Sequence, residues 1–310
     1  MKQPLVSAVV ITFRIEKYII DTLDSVFGQD YQNLEIVITD DNSPDNTFQI
    51  IKEYVAGYKG PHKVVINQNN PNLGIAGNVN KGIELSSGEY ICLFDGDDVA
   101  YPNRVSKSLD IIQTYNVEGM TSNMEIIDSD SISRGLFFKE DNHVNDIYRA
   151  RDMAEGKVLS GGAARMFSRR LAEVFGPLNT DCNTEDSTYL FRTILMGGIA
   201  YYPYPLVKYR IHGHNISLGE NLFSRFDPQL IYNQYYKDLG VAKSIGSIKN
   251  IEFDILKGYI DRYLHNNLPK REISIRKNKL IKISQALRYF FNQQYSIKEV
   301  FRLIIFAINQ

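Results

Sequence analysis

The stretch GEYICLFDGDD, Gly88 to Asp98, holds a turn glycine, a short apolar run from Tyr90 to Phe94, and three carboxylates in four residues, Asp95, Asp97 and Asp98. The apolar run has the length and bounds of a buried strand. Like charges crowded at the end of such a strand repel one another and resist desolvation, so something positive must sit among them. Carboxylate oxygens suit the hard cations Mg2+ and Mn2+, which keep some waters and take further ligands from a substrate diphosphate. The bland reading is a solvated loop ahead of a helix that begins near Pro102. DGDD alone divides evenly between the two, because motifs this short misfire often.

The flanking chain places this turn in an alternating α/β pattern. LVSAVVIT, Leu5 to Thr12, is apolar on both faces, as a strand between two helical layers must be. Tyr18, Ile19, Thr22, Leu23, Val26 and Phe27 then follow helical spacing, and Gly28 stops the pattern. A second strand, Leu34 to Thr39, runs into DDNSPDNT, where Asp45 or Asn46 is placed to cap a helix with Phe48, Ile51 and Val55 inward. Val64 to Asn67 gives a third strand, followed by the loop NQNNPNLGIAGN and a helix to about Ser86 with Ile75, Val79 and Ile83 inward. Such alternation implies a parallel sheet with right-handed crossovers, and these sheets bind ligands outside the carboxyl ends of their strands.

Beyond DGDD the spacing predicts a helix from about Pro102 to Tyr115 and a strand from Met120 to Ile127. Residues 128–156 have weak periodicity and read as an irregular insertion. LSGGAARMFSRR, Leu159 to Arg170, reads as a loop with a turn at Gly161-Gly162, a short strand and a helix start. TEDSTYLFRTILMGG is a helix capped by Thr184 and ended by Gly197. Ile199 to Tyr202 and Leu206 to Tyr209 read as two short strands leading to RIHGHNIS, and the chain is helical in pattern from about Asn221.

With 310 residues, 44% of them hydrophobic, the chain has ample material for one large domain or one domain with an appendage. The net charge is −1, but nine Lys or Arg face two Glu from Pro269 onward, leaving a +7 tail on a −8 body. That balance argues against nucleic acid and fits contact with an anionic membrane surface. Two cysteines, Cys92 and Cys182, make neither a disulfide framework nor a metal cluster and fit a reducing compartment. Leu5 to Thr12 lacks a cleavage-site pattern and reads as a strand, not a signal peptide, and no apolar run approaches the ~18 residues of a membrane span. The expected location is the cytoplasm, with peripheral contact at the inner face of the cytoplasmic membrane.

The order of motifs carries a resemblance that no single motif does. VSAVVITF, SVFGQDYQNLEIVITDDNSPDNT, NPNLGIAGNVNKGIELSSGEYICLFDGDD, TEDSTYLFR and VKYRIHGHNIS resemble the successive signatures of GT-A fold, family 2 inverting glycosyltransferases, over about residues 4–217. The resemblance implies an α/β nucleotide-diphospho-sugar transferase fold, Rossmann-like, with a mixed, mainly parallel sheet flanked by helices. Residues 1–220 would form the catalytic domain, nucleotide-binding to about 100 and acceptor-binding beyond, and 221–310 a helical C-terminal region. By the same resemblance, Asp41 bonds the donor base, and Thr12 and Glu16 line its pocket. Asp95 and Asp97 fall at the positions for ribose and metal-diphosphate, Asp98 joins Asp97 at the metal, and His212 stands near the metal or diphosphate. Asp186 falls at the catalytic base. Phe13-Arg14 stand where Tyr-Asn is common, and Asn42 and Pro44 replace the usual Gly and Thr, departures that touch the base pocket more than the chemistry; the resemblance implies UDP as the first donor nucleotide and dTDP as the second.

The residue types suit that chemistry independently. Inverting transfer needs a leaving diphosphate whose growing charge is neutralised, which Mn2+ or Mg2+ on the Asp97 cluster would supply. It also needs a base on the opposite face, and Asp186 is a carboxylate far enough along the chain to sit on a facing helix. Each choice has a plainer counterpart. Glu185 and Asp186 are also what a helix dipole favours in its first turn, worth ~0.3 to 1 kcal/mol. Lys81 and Arg192 read either as diphosphate ligands or as solvated helix charges, and His212 and His214 singly as packing or surface residues. The expected reaction moves a hexose or N-acetylhexosamine from a UDP-sugar to a lipid-linked or growing saccharide of a bacterial surface polysaccharide, with a homodimer as a further expectation. The alternatives are a sugar nucleotidyltransferase, whose Gly-rich basic loop is replaced here by FRIEKY, and a non-catalytic saccharide-binding relative.

Overall fold

A computed structural model describes residues 3–139, 147–182, 184–213, 215, 226–276, 279–289 and 295–309. His214, and Lys277, Phe290 and Phe291 of the basic tail, lie outside them. Four parallel strands form the first half of the sheet: β1 (Val6–Thr12), β2 (Leu34–Asp40), β3 (Lys63–Gln68) and β4 (Tyr90–Asp95), in the order β3-β2-β1-β4. Crossovers run through α1 (Ile19–Phe27), α2 (Thr47–Gly57) and α3 (Gly74–Leu85). Alternate residues of one strand serve opposite cores. Val9 and Ile11 of β1 pack with α3 side chains, while Val6, Ala8 and Val10 pack with α1. That two-sided burial is why these strands are continuously apolar in sequence.

The second half turns the sheet mixed. After β5 (Val99–Ala100) and α4 (Arg104–Tyr115) come β6 (Gly119–Ile127), β7 (Ser133–Leu136), β8 (Ile147–Tyr148) and α5 (Ala150–Ala154). A 3-10 turn at Gly162–Ala164 leads into β9 (Met166–Ser168), which is antiparallel to both β4 and β6 and joins the two halves. Then follow α6 (Arg170–Phe175), α7 (Glu185–Leu195) and β10 (Ile199–Arg210). The sheet has ten strands, running β3-β2-β1-β4-β9-β6-β10-β5 with β7 and β8 at the side.

Three local readings change. The two short strands expected at 199–209 are one strand, β10, whose register with β6 slips on either side of Pro205. Proline removes a ladder hydrogen bond without ending the strand, so a break in pattern is recorded as an irregularity in pairing. The helix expected from Pro102 begins at Arg104. Thr184 stands at the N-cap of α7, but its hydroxyl faces Cys182 Sγ at 3.2 Å and caps no backbone N–H.

The tail is helical: α8 (Pro228–Ser244), α9 (Asn250–Ser274), α10 (Lys279–Arg288) and α11 (Ile297–Asn309). Ile231, Tyr235, Leu239, Leu256 and Ile260 of α8 and α9 enter the same core as α3 and α7. Pro269 lies inside α9, and a separate small core joins Ile273 to Ala286, Leu303 and Ala307. Arg192 is neither a solvated charge nor a diphosphate ligand. Fully buried on α7, it donates from Nε to Asp238 Oδ2 of α8 at 2.8 Å, and Gln234 Nε2 donates to the same carboxylate at 2.9 Å. Burial pushes the Asp238 carboxyl above its ordinary pKa despite that partner. Asp238→Ala is expected to destabilise the fold by about 3–5 kcal/mol, because it strands a buried guanidinium. The paired change Arg192→Met with Asp238→Leu should recover most of that loss in thermal unfolding, since a buried ion pair exchanged for packed apolar groups is often neutral.

Candidate active site

At the carboxyl ends of β1 and β2 the backbone is braced by buried polar groups. Asp40 accepts from Thr12 Oγ1 at 3.0 Å, from Ser43 N at 2.9 Å and from Ser43 Oγ at 2.6 Å, so the Thr12 hydroxyl is spent on the scaffold. Asp41, only 3% exposed, accepts at Oδ1 from Leu73 N at 2.8 Å and Asn69 Nδ2 at 3.0 Å. Asn78 locks Asn69 and Thr39 in turn, accepting from both at 2.9 and 2.7 Å. This is the work of the Asn-rich loop: it fixes Asp41 from outside the sheet. Asn42 adopts φ of 60°, a left-handed conformation that Asn tolerates almost as Gly does. Glu16 is exposed and accepts from Asn46 N at 2.9 Å, closing the first turn of α2. A cavity of about 560 Å3 opens beside it, lined among others by Arg14, Tyr18, Asp128 and His212.

The DGDD turn is held against β1 and α1. Gly96 N donates to Ile11 O, and a Cβ there would lie 2.3 Å from Ile15 Cδ1 and 2.9 Å from Thr12 Cγ2, so only glycine fits. The Thr22 hydroxyl reaches Gly96 O at 2.8 Å and Asp98 O at 2.7 Å. The end of β10 closes the turn from the other side. Arg210 N donates to Asp98 Oδ1 at 2.8 Å, its Nε to Asp97 O at 2.8 Å and its Nη2 to Asp21 at 2.9 Å. Its guanidinium stands 4.8 Å from the Tyr18 ring centroid, and the same ring stacks on His212 at 4.8 Å. His212 Nε2 lies 2.9 Å from Asp97 Oδ2.

Asp98 Oδ2 is buried and has no hydrogen-bond partner. Burial, then Asp97 and Asp95, push this carboxyl well above the ordinary range. An orphaned carboxylate oxygen beside an Asp–His contact fits a hard divalent cation that takes its remaining ligands from a diphosphate. Asp97, His212 and Asp98 are the residues that would hold it. Among the described residues no three His, Cys, Asp or Glu side chains are arranged to hold an ion unaided.

A second acid group lies on the opposite side of Asp95. Asp95 is pushed up to about 6 by burial and by Asp97, with Arg165 and Arg104 opposing and Asp186 adding to the rise. Glu185 is pushed up to about 8 by burial and by Asp186, again with Arg165 opposing. Asp186 Oδ1 accepts from Ser187 N at 2.6 Å, which fixes its rotamer and leaves Oδ2 against Gly162. A Cβ at Gly162 would lie 2.9 Å from that Oδ2. Gly162→Ala is therefore expected to displace the Asp186 carboxylate and lower turnover about 10- to 100-fold, the scale of a misplaced reacting group. Its melting temperature should stay near that of the parent, and equal turnover in both proteins would refute the placement.

The structure thus gathers Asp95, Asp97, Asp98, His212 and Asp186 around one turn, with Asp41 and Thr12 at the neighbouring strand ends and Glu16 at the cavity rim. Sequence reading missed Tyr18, Arg104, Arg165 and Arg210. Arg104 is buried, 4.1 Å over the Phe94 ring, and bonds Leu93 O and, at 2.7 Å, Ala163 O. The available signal was the carboxylate cluster's own need for positive charge. Lys81 pairs with Glu84 on the surface, and Asn80 bonds both backbone groups of Leu178.

A parallel nucleotide-type half-sheet, an acidic turn at the end of β4 where that half meets the mixed half, and a second acid in the first turn of α7 are the arrangement of the GT-A class of sugar transferases. Glycosyl transferase family 2 matches residues 7–175, more than half of the sequence, and the chain belongs to that family. It is 27% identical to an uncharacterized glycosyltransferase of Haemophilus influenzae over 97% of this chain and 90% of that one. It is 30% identical to the Escherichia coli UDP-Glc:alpha-D-GlcNAc-diphosphoundecaprenol beta-1,3-glucosyltransferase WfaP, over 43% of this chain and 51% of the relative. Among solved structures, Staphylococcus aureus TarS 1-349 in complex with UDP superposes with a TM-score of 0.63 at 15% identity, covering 98% of this chain and 89% of that one. The mannosyltransferase PcManGT of Pyrobaculum calidifontis, in complex with GDP-Man and Mn2+, gives 0.59 at 19% identity, covering 99% and 80%. The chain is accordingly a glycosyltransferase, and the nucleotidyltransferase and non-catalytic alternatives are set aside.

Proposed function

We propose that this glycosyltransferase moves a hexose or N-acetylhexosamine from a UDP-sugar, with inversion, to a lipid-linked or growing saccharide in bacterial surface polysaccharide synthesis. The carrying observation is that His212 and Arg210 close on the DGDD turn while the segment bonded to β4 at Leu93 sets Gly162 against Asp186 Oδ2, so both acid groups border the same strand end. Asp41 and its Asn brace receive the base, Asp95 the ribose, and Asp97 with His212 the diphosphate. A divalent cation bound there would neutralise charge growing on the leaving diphosphate as a Lewis acid. Asp186 Oδ2 takes the proton of the acceptor hydroxyl as it attacks the anomeric carbon from the opposite face. WfaP, by its name, joins a UDP-sugar to a diphosphoundecaprenol-linked acceptor, and TarS binds UDP, which supports the donor and acceptor classes chosen here. Incubation with a panel of nucleotide sugars and a diphospholipid-linked acceptor, with the product anomer read by NMR, tests this. A retained anomeric configuration would overturn it.

A second part of the reading places the enzyme at a membrane surface. No helix among the described residues is long and apolar enough to cross a membrane. Yet α11 exposes Phe301, Ile305 and Ile308 at helical spacing, with Phe301 61% exposed, beside the exposed Lys298 and Arg302 of the basic tail. Each exposed Lys or Arg near an anionic bilayer contributes about 1 kcal/mol. The protein is expected to co-sediment with phosphatidylserine vesicles at low salt and to be released at about 0.5 M, where exposed charges are screened. Phe301→Ser with Ile305→Ser should reduce binding without unfolding. Sedimentation unchanged by salt and by these substitutions would instead assign the stripe to a second copy of the chain.

A further inference from the structure

Arg165 is the one group at this site that the proposed chemistry leaves unexplained. It is 5% exposed, and its Nε and Nη1 have no hydrogen-bond partner. A desolvated guanidinium in that condition is costly unless opposite charge stands close by. Its position is set by backbone: Leu93 N donates to Arg165 O at 3.4 Å, and Arg104 ties Leu93 O to Ala163 O. The segment from Gly162 to Arg165 therefore wedges between the end of β4, which carries Asp95, and the start of α7, where Asp186 Oδ2 abuts Gly162. No carboxylate among the described residues makes an ion pair with Arg165, although its backbone runs beside the end of β4 that carries Asp95 and the start of α7 that carries Glu185 and Asp186. A direct salt bridge would occupy carboxylate oxygens. A cation held back by its own backbone balances their charge and leaves them unoccupied.

We infer that Arg165 is a positioning residue of the transfer reaction, a stand-off cation that holds Asp95, Glu185 and Asp186 together with their oxygens free for substrate. The inference rests on the transferase reading of this site. Arg165→Met keeps the apolar stem and removes the charge. It is expected to lower kcat at least about 10-fold through misplaced reacting groups, while UDP affinity by calorimetry falls by a smaller factor, through Asp95 alone. That split is expected because Asp41, Asp97 and His212 are anchored elsewhere. Arg165→Lys should recover most of the loss. In combination with Asp186→Asn, Arg165→Met should cost little further, as groups acting as a unit are not additive. Unchanged kcat in Arg165→Met, a lysine variant no better than methionine, or additive losses would overturn the role.

A melting experiment covers the case in which Arg165→Met folds poorly. Adding Asp95→Asn removes one of the charges that Arg165 balances, so the double variant should melt above Arg165→Met. An arginine that merely fills space predicts the same gain from Asp95→Asn in the parent protein, where relief of repulsion among the carboxylates alone supplies it, and a gain no larger in Arg165→Met than in the parent would overturn the inference. Because this arm needs no catalysis, a chain that shows the recovery but transfers no sugar would refute the proposed function and not the role of Arg165.

Discussion

Asp186→Asn is expected to lower turnover about 100-fold or more, the usual scale of a lost general base, while donor binding changes little. The side chain keeps its shape and its contact with Ser187 N, whose N–H can still meet the amide oxygen. What disappears is the oxygen against Gly162 that would take the acceptor's proton. A first-turn acid serving only the α7 dipole predicts something else: a stability loss of ~0.3 to 1 kcal/mol and intact turnover. Initial rates, UDP calorimetry and a thermal melt on one preparation separate the two accounts.

Removal of the divalent cation proposed for this turn, or of Asp97, which would help to hold it, should be nearly as damaging. With EDTA, transfer is expected to stop and UDP binding to weaken, and Mn2+ or Mg2+ should restore both. Asp97→Ala should do the same without loss of fold, because it thins a cluster of like charges. The structure adds a second readout. Asp97 is a partner of His212 Nε2, so its removal takes that contact from the imidazole. In the parent protein, metal titration should perturb the His212 ring resonance, and in Asp97→Ala that response should be lost. Full transfer by Asp97→Ala in EDTA would refute the metal's role.

Much of this arrangement could be read from the sequence, for definite physical reasons. Parallel strands buried on both faces are continuous apolar runs, so β1, β2 and β4 stand out, and the turns at their ends carry their chemistry in adjacent residues. DGDD is legible for that reason, and TED because it opens a helix with a plain apolar stripe. Positive charge was not, because its carriers reach the site from far along the chain. Arg104, six residues past Asp98, is the exception, hidden at the start of α4; Arg165 arrives 70 residues after Asp95, and Arg210 112 residues after the Asp98 carboxylate it binds. Arg192 misled in the reverse direction: at helical spacing beside polar neighbours it reads as surface, and only α8 supplies the buried Asp238. The same holds for the tail, whose first two helices complete the core beside α3 and α7.

The closing of the acidic turn by β10 also has a temporal side. Arg210 joins Asp98 across 112 residues and Asp21 across 189, so the turn is translated long before the arginine that bonds its backbone and Asp98. A nascent chain released before β10 would carry repelling carboxylates, and contacts so distant in sequence are the slow ones to form. Nucleotide affinity is then a property of the finished domain alone. On stalled nascent chains of increasing length, it should appear abruptly once β10 has left the ribosome, making UDP a reporter of the last stage of folding.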